Sequence, residues 1–119
     1  MVSGHARFTE PPSRSTAWRY GFNAPADYND NEGFCGGFNH QYAVNDGKCG
    51  ICGDAWDANP RMHEAPNHYA TGTIVREYTK GQTITATVEV TANHKGKFTF
   101  KLCPNNNVNV DPAQDCFDQ

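Results

Sequence analysis

The order of apolar and polar residues divides the chain into two unlike parts. Residues 11–66 are dense in Gly, Pro, Asn and Asp without a sustained period, which predicts long loops with one short helical turn. After Tyr69 apolar and polar residues alternate, which predicts strands at 73–78, 83–90 and 97–102, with turns at Lys80-Gly81 and Lys95-Gly96. Three antiparallel strands with one apolar face need a second layer, so we expect an all-β fold built as a β-sandwich.

The composition narrows the possible partners. The chain has 119 residues, a formal net charge of -3 and a mean hydropathy of -0.74. No cluster of Lys and Arg offers a surface for phosphate backbones, so we do not expect a nucleic-acid partner. No apolar run approaches the roughly 18 residues that a membrane helix needs, so we expect no membrane partner.

The cysteines indicate a compartment. Five of them in so short a chain are typical of a secreted, extracellular domain with disulfide bonds. Because five is odd, either one thiol is free or its partner lies beyond residue 119. The spacing alone leaves the connectivity open.

Two histidines are candidate metal ligands. His94 lies in the connection between the second and third predicted strands. Val2 and Gly4 satisfy the small-residue rule for signal cleavage if the cut falls before His5, although Met1-Val2-Ser3-Gly4 is equally compatible with an ordinary or added start. A histidine at a free N-terminus offers its α-amine and its ring Nδ1, and a second histidine supplies a third nitrogen. Three nitrogen ligands arranged in the shape of a T favour Cu(II), which prefers square or tetragonal sites with nitrogen and oxygen ligands.

The chain contains a series of ordered motifs. They are His5-Ala6-Arg7-Phe8, Glu10-Pro11-Pro12-Ser13-Arg14, Trp18-Arg19-Tyr20-Gly21, Phe34-Cys35-Gly36-Gly37, Gly47-Lys48-Cys49-Gly50-Ile51-Cys52-Gly53-Asp54 and Ala92-Asn93-His94-Lys95-Gly96. Together these motifs closely resemble those of lytic polysaccharide monooxygenases of auxiliary activity family fifteen. The resemblance covers essentially the whole chain after Gly4.

The resemblance implies an immunoglobulin or fibronectin III-like β-sandwich and a single copper-binding domain over residues 5–119. It implies one copper ion held by the amine and Nδ1 of His5 and by Nε2 of His94, with Ala92 near an axial copper position. The implied reaction is oxidation at C1 or C4 of a sugar, which breaks glycosidic bonds of chitin first and cellulose second. An external electron donor, a monomeric state and secretion are implied as well.

Two departures from the family pattern bear on activity. His5 is the fifth residue as written, and an amide in place of its α-amine cannot coordinate without losing a proton. Family members also continue well past the second histidine and supply an axial aromatic residue there. On this ground we expect the chain to be C-terminally truncated, and we assign no role to Phe117.

Other interpretations remain. Cys49 and Cys52, with Cys35 and His40, are a possible zinc site, and a redox Cys-x-x-Cys pair would lack a βαβ context. Asp27, Asn29 and Asn31 alternate as in a calcium loop but lack its glycine and glutamate spacing. His40, His63 and His68 are expected to be surface or hydrogen-bonded side chains, Trp18 to be core and Tyr28 to be exposed. The rival functions are a hydrolase, whose candidate acids are Glu10, Glu32, Asp54 and Glu64, and a non-catalytic polysaccharide-binding or copper-binding module.

The metal assignment yields a first prediction. His94→Ala should abolish specific Cu(II) binding, measured by titration of the protein with His5 at its N-terminus. The far-ultraviolet circular dichroism should not change, since a residue in a turn contributes little packing. An unchanged copper affinity would contradict the assignment.

Overall fold

The computed structural model describes residues 5–93 and 95–118. Its regular elements are short: strand β1 (His5–Glu10), a 3₁₀ turn (Ala17–Tyr20), a π-helical turn (His40–Val44), strand β2 (Thr87–Ala92) and helix α1 (Gln114–Phe117). No helix in this part of the chain is long and apolar enough to cross a membrane. Most of the remaining backbone is held by turns and side-chain hydrogen bonds rather than by ladders.

The two strands pair antiparallel, and their register places the first residue of the sheet. His5 pairs with Ala92, and Ala6 pairs with Val90, so Thr91 is an extra residue on β2 and forms a β-bulge. A second irregularity lies between Phe8 and Glu10. Bulges frequently re-aim side chains beside functional sites, and the first one lies directly at His5.

A buried carboxylate joins the sheet to the loop region. Asp30, whose side chain is 1% exposed, accepts hydrogen bonds from Arg7 on β1 and from Arg19 in the 3₁₀ turn. Arg7 also reaches across the sheet to Glu89 on β2, its register partner. The two guanidinium groups hold the pKa of Asp30 below its ordinary value despite burial, which opposes the charged form. The carboxylate therefore remains ionised and binds three elements together.

The strand predictions were only partly correct. Residues 87–90 of the predicted strand 83–90 do form β2, but 73–78 and 97–102 form no ladder within the described residues. Strand β1, in a segment for which no strand was predicted, pairs with β2 instead. The turn at Lys80-Gly81 is present, since Gln82 donates to the carbonyl of Thr79.

The physical reason lies in the partners that a ladder requires. A period of two predicts which face of a strand is apolar but not whether a neighbouring backbone is available. In the described residues the apolar side chains of these stretches stay largely exposed. They are Ile74, Ile84, Phe98, Phe100 and Leu102, with exposed fractions from 45% to 88%.

Two disulfides close loops of similar size. Cys35 pairs with Cys49 and Cys103 with Cys116, while Cys52 is free within the described residues. Burial raises the pKa of the Cys52 thiol to about 11. The thiol is therefore protonated at neutral pH and is a poor nucleophile.

The buried ion pair generates a stability prediction. Asp30→Ala should lower the free energy of unfolding by about 2–3 kcal/mol, because it leaves two guanidinium groups facing each other without their carboxylate. The cost is below that of a fully buried pair, since both Arg side chains keep partial contact with water. Urea unfolding followed by tryptophan fluorescence measures it. Glu89→Ala, which removes the exposed carboxylate of the same network, is the matched control and should change the midpoint little. Equal losses in both variants would contradict the central role of Asp30.

Candidate metal centre

His5 and Ala92 meet at one end of the sheet. Their pairing places the His5 side chain beside the segment that leads from β2 into the next connection. A surface pocket of about 260 Å³ is lined there by His5, Ala92, Asn93 and Lys95, among others. Ala92 therefore adjoins His5, and its place near an axial copper position stays a prediction.

Three neighbours surround His5. Its Nε2 lies 3.6 Å from Oε1 of Glu32, and its ring centroid lies 6.1 Å from that of Phe34. The Thr91 hydroxyl in the bulge donates to the backbone carbonyl of His5 at 3.3 Å. The His5 side chain is 24% exposed, so it reaches the surface while its position is set from several sides.

The other predicted ligand cannot be placed. His94 lies outside the described residues, as do Met1, Val2, Ser3 and Gly4. Its neighbours Asn93 and Lys95 are described, and Lys95 has a positive φ of 26°. The pairing of the two histidines stays a prediction.

His5, the predicted ligand that the structure describes, offers donor atoms suited to a copper ion. With Nε2 turned toward a carboxylate, the ring presents Nδ1 on its other side. Nδ1 is the nitrogen that can share one metal with the α-amine of the same residue. Imidazole and amine nitrogens are donors that Cu(II) prefers.

The alternative metal sites are wrong. Cys35 and Cys49 form a disulfide, so neither is a thiolate ligand for zinc or half of a Cys-x-x-Cys redox pair. Within residues 5–93 and 95–118, no group of three or more His, Cys, Asp or Glu is arranged to hold a metal. In place of a calcium loop, Asp27 Oδ1 accepts the backbone N–H of Asn29 in a local turn.

The candidate acids of a hydrolase face cations. Glu10 is paired with Arg76 at 2.8 Å, and Glu64 with Arg61 at 3.3 Å. Arg76 holds the pKa of Glu10 below its ordinary value. A glycosidase needs two carboxyl groups on either side of one bond, with the pKa of the acid raised, and these contacts do not supply that arrangement.

One polar cluster was missed by sequence reasoning. His63 lies between two carboxylates, with Nε2 2.7 Å from Asp27 and Nδ1 2.8 Å from Asp54. Its ring stacks on Tyr69 at 4.4 Å. Burial opposes the charged imidazolium, but the two carboxylates outweigh it, so the pKa of His63 is raised. Asp54 and Asp27 lie 9 and 36 positions from His63 in the sequence, so no local spacing could have revealed the cluster.

The expectations for His40 and Tyr28 hold, whereas Trp18 is not in the core as expected. His40 is hydrogen-bonded to Asp57, and Tyr28 is 80% exposed. Trp18 is half-buried beneath the guanidinium of Arg19 and against the ring of Tyr28, rather than in a deep core.

Comparisons with known proteins place this site in context. A family model described as lytic polysaccharide mono-oxygenase, cellulose-degrading, matches residues 5–119. No curated protein sequence matches the chain. A solved structure, the lytic polysaccharide monooxygenase AA15 from Thermobia domestica in the Cu(I) state, is 43% identical with a TM-score of 0.90.

The structural match covers 96% of this chain and 59% of the other, so the chain spans about three fifths of that protein's length. At this identity and TM-score the two share a fold. The predicted all-β sandwich class is thereby confirmed, although the described residues form only two paired strands.

The His63 cluster generates a pH prediction. Because the folded pKa is raised, the ion pairs stabilise the protein fully below the ordinary histidine pKa of 6.5, and this contribution is lost as the pH rises through the folded value. The difference in unfolding free energy between the parent chain and His63→Gln should therefore shrink as the pH rises from the ordinary histidine pKa of 6.5 through the raised folded pKa. Chemical unfolding at several pH values measures it.

The control for this prediction is His68→Gln, which removes an imidazole packed on the same Tyr69. It separates the loss of packing from the loss of the two ion pairs. If both variants show the same pH dependence, the carboxylates are not its source.

Proposed function

We propose that this chain, which belongs to the lytic polysaccharide monooxygenase family, carries the copper site of a secreted enzyme. That enzyme would cleave crystalline polysaccharide oxidatively. The family resemblance drawn from the motifs is confirmed by the family match and by the structural match. The activity, the substrates and the partners remain proposals, since the chain spans 59% of the matched structure.

One observation carries the proposal. His5 starts β1 opposite Ala92, and its Nε2 faces Glu32, so the ring directs Nδ1 away from that carboxylate. The family match also begins at His5, the residue whose α-amine the site requires. With residues 1–4 removed, the amine and Nδ1 of His5 would hold copper together with Nε2 of His94. Ala92 would keep the nearby axial position partly closed.

The residues of the chain bind and orient rather than react. His5 and His94 hold the metal, and the β-bulge at Thr91 sets the direction of the His5 backbone. Copper, once bound and reduced by an external electron donor, supplies the activation of dioxygen or peroxide that oxidises C1 or C4 of a sugar ring. The oxidised sugar then loses its glycosidic bond by elimination.

Chitin is proposed ahead of cellulose on the resemblance to family fifteen, whereas the description of the matching family model names cellulose. Exposed aromatic side chains near His5 suit either polymer, because pyranose rings stack on aromatic faces. Phe34, 39% exposed, has its ring centroid 6.1 Å from that of His5. The two disulfides support an extracellular location, and we propose a monomer.

The first test is Cu(II) titration followed by electron paramagnetic resonance. The chain as written is compared with the same chain beginning at His5. The form beginning at His5 should bind one copper tightly with a nitrogen-rich axial spectrum, and the longer form should bind it weakly. If both bind alike, His5 is not an N-terminal ligand, and a polysaccharide-binding or copper-binding module becomes the better description.

Activity is tested separately on chitin and cellulose. The protein with His5 at its N-terminus, loaded with copper, should release C1- or C4-oxidised ends only when a reductant is present. Products without reductant would indicate a hydrolase, and polymer binding without products would indicate a binding module.

A further inference from the structure

We propose that Glu32 is a positioning residue for His5: its carboxylate lies on the Nε2 side of the imidazole, favours the tautomer with the hydrogen on Nε2 and thereby directs Nδ1 to the copper ion. This inference rests on the proposed role of His5 as a ligand. It assigns a function to a residue that sequence reasoning considered only as a candidate acid of a hydrolase.

The contact between the two side chains is close and partly shielded. Oε1 of Glu32 lies 3.6 Å from Nε2 of His5, and the side chains are 40% and 24% exposed. This separation is longer than a hydrogen bond of about 2.7–3.2 Å, so the two groups are in electrostatic contact. Phe34 borders the imidazole ring and limits the directions in which it can turn.

The backbone of Glu32 is held on both sides. Its N–H donates to the carbonyl of Asn29 at 3.0 Å, and its carbonyl accepts the N–H of Phe34 at 2.8 Å. The preceding Asp30 carries the buried ion pairs to Arg7 and Arg19. The carboxylate of Glu32 therefore extends from an ordered loop rather than from a free surface segment.

The same loop contacts the backbone of His5 through a second route. Asn31 donates its side-chain N–H to the Thr91 hydroxyl at 2.9 Å, and that hydroxyl donates to the His5 carbonyl at 3.3 Å. Two consecutive loop residues are thus connected to His5. Asn31 reaches the main chain of His5 through Thr91, and Glu32 lies beside the ring of His5.

After Glu32 the loop packs closely against a neighbouring turn at Gly53, where the short distance admits only glycine. Gly53 has a φ of +91°, and a Cβ added there would lie 2.8 Å from the Cα of Gly33. Cys35 then donates its N–H to the Gly53 carbonyl at 2.8 Å. This contact fixes the residues that directly follow Glu32, and so limits how far its backbone can move.

The chemistry of a ligand that binds through Nδ1 favours an acceptor at this nitrogen. A neutral imidazole that binds metal through Nδ1 carries its hydrogen on Nε2, and an acceptor there fixes both the tautomer and the ring orientation. A negatively charged acceptor also strengthens electron donation by Nδ1. Glu32 lies on the Nε2 side of the ring, so it is placed to orient the ligand.

The test uses the chain beginning at His5 and copper alone as the probe. Glu32→Ala should weaken Cu(II) binding roughly tenfold, as measured by competition with a chelator of known affinity. Glu32→Gln keeps the side-chain length and a carbonyl acceptor, so it should recover part of the loss. Glu77→Ala, which removes an exposed carboxylate elsewhere, is the control for the change in net charge and should bind copper as the parent does.

A spectroscopic signature separates positioning from a general loss of structure. Electron spin echo modulation reports the quadrupole coupling of the imidazole nitrogen that is remote from Cu(II), and a hydrogen bond at that nitrogen changes the coupling. Glu32→Ala should alter this coupling for one histidine, and Glu32→Gln should give an intermediate value. The glutamine variant keeps the measurement possible if the alanine variant does not fold.

The outcomes distinguish this inference from the proposed function. If the parent chain beginning at His5 fails to bind copper through nitrogen, the proposed function fails. If the parent binds but both Glu32 variants leave its affinity and remote-nitrogen coupling unchanged, copper binding stands and the role of Glu32 is overturned.

Discussion

The charged Asp30 carboxylate, buried between Arg7 and Arg19, is the interaction on which the arrangement of the chain depends. Few apolar side chains are buried: among the described hydrophobic residues only Ala17 is assigned to the core. Chain entropy must therefore be offset largely by polar contacts, disulfides and partial apolar burial. Asp30 joins β1, the 3₁₀ turn and the loop that holds Glu32, and Arg7 extends this network to β2.

This polar construction continues through the loop region. Arg14 binds both carboxylate oxygens of Asp111 and the carbonyl of His63, and Asp111 in turn accepts the N–H of Ala65. His63 connects two further loops through its paired carboxylates. Charged groups of this kind impose geometry more strictly than apolar contacts do, because each hydrogen bond has a preferred direction. Such strictness suits a site in which one imidazole must present a particular nitrogen.

The segment 97–102, where apolar and polar residues alternate, differs from this polar construction. The alternation in 97–102 is regular, yet Phe98 and Phe100 remain more than half exposed. Phe100 packs edge to face on Phe8 of β1, and Phe98 lies beside the pocket that contains His5. Alternation indicates that one face of the segment is apolar and must pack against another layer. It does not indicate which backbone pairs with the segment, because that depends on distant residues. The strand prediction failed at 73–78 and 97–102 for this reason, while β1 went unpredicted because its ladder depends on β2, some 80 residues away.

The sequence by itself determined the family, the all-β class and the two candidate histidines, because these follow from local motifs and residue chemistry. Only the tertiary structure decided the Cys35–Cys49 and Cys103–Cys116 pairing, the contact of Glu32 with His5 and the cluster around His63. Each of these joins residues from separate turns of the chain. Their distances follow from how separate loops meet in the fold and not from spacing along the sequence.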